Sequence, residues 1–164
     1  MKTTVIKLFF VVALFLSLNN IQALTTAPQL NQKELIKQLF GKWQAPSGKD
    51  SLELWDWQPY GKSYKCEIQQ VIKGQNKPWQ INTSYFDSKT SKFFGAAVSP
   101  NGWAWGWNGA FVTEKKLVID VYNLKEPSVI TTKIEFVFNT NDSFTGTYTP
   151  TSGKVSILNF SRIK

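Results

Sequence analysis

The sequence contains no histidine, and only one cysteine, in 164 residues. Histidine is the side chain that titrates near neutrality. Its absence removes the usual general base, any Ser-His-Asp triad and the commonest metal and haem ligand. The lone Cys66 has no partner for an internal disulfide, so an oxidising compartment brings no staple. It sits in an alternating strand pattern and reads as a small buried apolar group, not a reactive thiol. Blocks of like charge are also missing. Nineteen Lys and Arg oppose eleven Asp and Glu, a formal net charge of +8, but the lysines are scattered singly at strand ends and turns. That pattern describes a solvated surface and argues against a nucleic-acid partner. Paired carboxylates are absent too, because Glu53 and Asp56 fall on opposite faces of one strand. No cofactor is implied, and the chain reads as a non-enzyme. Catalysis, as a hydrolase or isomerase, would need carboxylates brought together by folding.

No apolar run is long enough to span a membrane. Lys2 and Lys7 precede a short apolar run, Leu8 to Leu18, and Ala23 follows with Ile21 at the minus-three position. Residues 1–23 therefore read as a secretory signal peptide cut after Ala23, and residues 24–30 as a flexible leader. The expected location is secreted or periplasmic, with no membrane insertion once the signal is removed.

What is present in abundance is short alternating segments. Asn31 is placed to cap a helix, with Glu34 at its third position and Leu30 able to staple onto Leu35. Leu35, Ile36, Leu39 and Phe40 form an apolar stripe, and Gly41 ends it. Beyond Gly41 the period changes to two. Glu53, Trp55 and Trp57 share one face of the next run. Tyr64, Cys66, Ile68 and Ile72 align in another, and Trp79, Ile81, Thr83 and Tyr85 in a third. Ile130 to Phe138 alternates most clearly, and Val155 to Ile163 is the last run. About ten strands with turns every eight to twelve residues indicate a sandwich or barrel, and hairpin-length connections favour a meander. The expected fold is all-β: residues 31–164 as one antiparallel up-and-down β-barrel of about 8–10 strands, with the short helix closing one end.

Several stretches carry a resemblance. A short helix precedes Gly41-Lys42-Trp43, Glu53-x-Trp55 leads to Pro59-x-Gly61, and Tyr85-Phe86-Asp87 is followed by Ser91-Lys92-Phe93. The chain closes on Asn159-Phe160-Ser161-Arg162. Together these resemble the lipocalin-like, calycin superfamily, in particular its small bacterial barrel domains. The middle Thr-Asp-Tyr signature of true lipocalins is not visible. The resemblance implies that Gly41, Trp43 and Arg162 serve barrel closure, with the Arg162 guanidinium over the Trp43 indole.

Seven tryptophans all fall between residues 43 and 107. Aromatic rings at strand spacing either fill a core or wall a cavity, and both readings stand at this point. The expected interior ligand set is Glu53, Trp55, Tyr64, Tyr85, Trp105 and Tyr122, around a small hydrophobic or amphipathic molecule. The other reading turns Trp103, Trp105 and Trp107 outward as a surface for glycan or protein. Asn82, Asn141 and Asn159 each open an Asn-x-Ser sequon.

Overall fold

The computed structural model describes residues 29–164. The expected signal peptide and nearly all of the expected leader lie outside the described residues.

The chain enters through a short helix, α1 (Gln32–Leu35), which continues as a 3₁₀ turn over Ile36–Leu39. The Asn31 side chain caps α1 by accepting from the Glu34 N–H at 3.4 Å. The stripe read from the sequence suits a longer α-helix. The observed tightening has a reason in packing. In a 3₁₀ turn residues three apart eclipse one another, and this aims Ile36 and Leu39 together into the barrel, where both are buried. Gln32 fixes the plug sideways. Its side-chain amide donates to the Phe111 carbonyl at 2.9 Å and accepts from the Phe111 N–H at 2.7 Å. It thereby satisfies both backbone groups of one strand residue.

Ten strands follow: β1 (Gly41–Gly48), β2 (Ser51–Tyr60), β3 (Ser63–Ile72), β4 (Gln75–Asp87) and β5 (Lys92–Val98), then β6 (Ala104–Thr113), β7 (Lys116–Asn123), β8 (Glu126–Thr140), β9 (Ser143–Pro150) and β10 (Ser156–Arg162). Each pairs antiparallel with the next, and β1 pairs with β10, so the sheet is a closed up-and-down barrel. Closure leaves no free edge. The last seam is short: β1 and β10 pair at Trp43↔Arg162 and Gln44↔Ser161. The Ile163 N–H adds a bond to the Lys42 carbonyl at 2.8 Å.

The seam is reinforced by side chains. Trp43 is fully buried and donates its indole N–H to the Leu39 carbonyl at 2.7 Å. The Arg162 guanidinium lies 4.1 Å from the Trp43 ring centroid, a cation–π contact contributing about 0.5–2 kcal/mol. The same guanidinium donates to the carbonyls of Phe40, Gln38 and Asn141, and its Nε lies 3.3 Å from Asp142 Oδ1. One side chain thus ties the helix, the first strand and the β8–β9 turn to the last strand. Gly41 makes room for it. Its φ is +107°, and a Cβ there would stand 2.7 Å from Arg162 Nη1. The position therefore excludes larger residues on both conformational and steric grounds.

Above this seam the closed end is filled with rings. Phe144 stacks on Phe160 at 4.4 Å, Trp43 meets Phe144 edge-on at 4.8 Å, and Phe136 and Phe138 lie at 5.2 and 5.5 Å from Phe144. Such tilted and offset pairs suit the ring quadrupole.

Candidate functional site

Period-two alternation places the odd residues of β2, the even residues of β3 and β4 and the odd residues of β6 inside the barrel. Toward the end away from the helix these side chains stop meeting and leave a cavity. Its deep part, about 80 Å³, is walled by Trp55, Trp57, Trp107, Asn82 and Phe136. It continues to a mouth of about 480 Å³ bounded by Trp103, Ala104, Asn123 and Thr131. Gln80, Trp105, Val121, Ile134 and Tyr148 line both parts. Gly95 lets the Trp107 indole lie flat against the β5 backbone, since a Cβ there would overlap the ring.

The residues expected inside separate into four groups. Trp55 and Trp105 line the cavity. Glu53 is beside it, accepting from the Trp55 indole N–H at 3.0 Å. Burial pushes the Glu53 carboxyl above its ordinary range, and the Trp55 hydrogen bond partly offsets this. Tyr64 points inward but belongs to the packed end, 5.8 Å from both Phe40 and Phe93.

Tyr85 and Tyr122 are not interior residues. Tyr85 is 53% exposed and stacks on Phe94 at 5.9 Å on the outer face. Tyr122 lies across Gly106, opposite it in the register, on the outside of the wall at the rim of the mouth. The reason for Tyr85 is that β4 reverses the usual polarity. Its apolar residues Trp79, Ile81 and Tyr85 face out, while Gln80, Asn82 and Ser84 face in. An inward Asn82, only 8% exposed, is also no glycan acceptor. The outward tryptophan face does not form either. Trp105 and Trp107 turn into the lumen, and Trp103 alone is exposed, in the turn before β6.

The expected ligand set omits Trp57, Trp107, Asn82 and Tyr148, all of which line the deep part of the cavity. Trp57 and Trp107 were legible as the same-face neighbours, two residues on, of Trp55 and Trp105. Tyr148 was legible from its alternation with Phe144 and Gly146. Asn82 was not, because an inward amide on an otherwise amphipathic strand carries no periodic signal.

Two features give the cavity chemical character. The Trp57 Nε1 and Tyr148 hydroxyl atoms are buried and without a hydrogen-bond partner. No lysine or arginine lines either part of the cavity. Cys66, on β3, is fully buried, and burial keeps its thiol protonated, so it offers no nucleophile. Among the described residues no three His, Cys, Asp or Glu side chains come together as metal ligands.

No protein-family model matches the sequence, and no curated protein matches it. The barrel and its cavity are therefore what the functional reading rests on.

Proposed function

We propose that this is an exported, lipocalin-like carrier that holds a small, mostly apolar molecule in its lumen and releases it unchanged. One observation carries the reading. A barrel plugged at one end by Ile36 and Leu39 opens at the other into a cavity walled by Trp55, Trp57, Trp105 and Trp107. Apolar concave walls with a few polar groups are the usual make-up of small-molecule sites. The strands that form the wall are hydrogen-bonded all round, so the site is held by the scaffold and not by mobile loops. Calycin membership is part of the proposal. It is supported by the helix, the Gly41-x-Trp43 start and the Arg162 closure, all of which meet at the seam. Transport without chemistry is supported by the lining, which brings aromatic, aliphatic and amide groups together with no paired carboxylates.

Solvent extraction of the purified protein followed by mass spectrometry tests the reading. The expected result is a ring-bearing small molecule present at a substantial fraction of the protein concentration. An empty extract, together with no change in tryptophan emission on titration with apolar ring compounds, would overturn it.

A further inference from the structure

Building on the carrier reading, we propose that the lumen takes a neutral, flat ring compound bearing a carbonyl or ring-nitrogen acceptor, held by the Trp57 N–H and the Tyr148 hydroxyl. The first support is that, of the three buried side-chain polar atoms among the described residues that lack a partner, two belong to residues lining the cavity, Trp57 and Tyr148, the third being the Ser84 hydroxyl. Trp57 is 6% exposed and its indole N–H has no partner. An indole N–H can only donate, so whatever completes it must offer a lone pair. The Tyr148 hydroxyl is the second such atom, buried in the wall on another residue that lines the same cavity. Burial raises its titration well above the phenol range, so it keeps its proton and remains a donor. Buried polar groups in proteins are nearly always satisfied, and orphans that line one cavity mark where a complementary atom belongs.

The second support is charge. With no cation on the lining, an anionic ligand would be desolvated without compensation. Glu53 lies close enough to Tyr148 to influence its ionisation, and this adds repulsion toward an anion. The third is shape. Four indoles surround a deep space of about 80 Å³ that widens toward the mouth. A cavity that accommodates benzene has roughly 150 Å³. A ring system therefore reaches from the indoles into the mouth and is not enclosed at the bottom.

The test uses three probes of similar outline: 2-quinolone, which is neutral with an acceptor; naphthalene, which has none; and 1-naphthoate, which is anionic. Each is titrated against the purified protein by tryptophan fluorescence and calorimetry. The expected order is 2-quinolone tighter than naphthalene by at least about tenfold, the scale of one buried hydrogen bond, with 1-naphthoate weakest. Trp57→Phe and Tyr148→Phe should each shrink the quinolone-over-naphthalene preference to about threefold or less, a ratio that an altered wall common to both probes leaves in place. Having both variants guards against loss of folding in one. Equal binding of quinolone and naphthalene, tightest binding by naphthoate, or a preference that survives in both variants would overturn this proposal alone. If none of the three binds and the solvent extract is empty, the carrier reading falls with it.

Discussion

The two ends of this barrel are built from the same ten strands and the same alternation, yet they are opposite in character. At the helix end most inward positions carry a ring or aliphatic group, and the polar atoms there are matched apart from the buried Ser84 hydroxyl. Trp43 Nε1 meets Leu39, Gln32 meets Phe111, and Arg162 meets three carbonyls. Around the cavity the inward positions include Gln80 and Asn82, and two buried polar atoms, on the lining residues Trp57 and Tyr148, have no partner. A closed end in which little is left over is the signature of stability. An end with unmatched groups has sacrificed some stability for something else, and binding is the common reason.

The comparison is broken most easily at the seam. Trp43→Ala removes a fully buried indole from under the helix plug, and should cost about 3–5 kcal/mol in urea unfolding. A loss below about 1 kcal/mol would mean that the closed end is not what holds the barrel. Gly41→Ala should cost about 1–3 kcal/mol, because alanine must adopt a left-handed φ of +107° and its methyl meets Arg162 Nη1. In an Arg162→Ala background part of that cost should vanish, since the steric component goes while the strain in φ remains. Strict additivity of the two changes would show that the guanidinium does not occupy this space in solution.

This difference between the ends also explains what the sequence made legible. The closed end obeys local rules. Asn31 caps and Gly41 turns by residue type and position, while the pairing of Trp43 with Arg162 across the barrel's ends is what the family resemblance implies. The meander follows from strand spacing, because a one-residue change of register would send every inward ring to solvent. The cavity was half legible. Trp55 and Trp105 could be placed inside because their strands alternate in the ordinary sense. Tyr85 could not, because β4 puts amides and a hydroxyl against the lumen and its apolar residues outside. Tyr122 was legible as outward, because it alternates with the inward Ile119 and Val121 on β7. Placement fails in the sequence where the wall is adapted to something other than its own packing.

Smaller effects sharpen the comparison at the mouth. Tyr148→Phe deletes a buried hydroxyl that has no partner. Without ligand it should leave stability unchanged or raise it by up to about 1 kcal/mol, the opposite sign to the seam variants. A loss of more than about 1 kcal/mol would show that the hydroxyl is satisfied in the free protein, for instance by a bound water.

The smallest effect is a pH dependence. Desolvation by burial raises the Glu53 carboxyl above its ordinary value of 4.5, with the Trp55 hydrogen bond opposing it. Between 4.5 and the raised value the folded protein holds a proton that the unfolded chain has released. Stability from this group is therefore fully present below 4.5 and declines as pH rises through the folded titration point. Glu53→Gln should abolish that decline and leave the protein slightly more stable than the parent at neutral pH, with little difference in acid. Unfolding free energies measured at several pH values from acid to neutral for both proteins would show this. A parent whose stability instead climbs across the same range through Glu53 would mean that the carboxylate is stabilised as an anion. The mouth would then contain a compensating donor or cation, and the contrast between a matched end and an unmatched one would no longer hold.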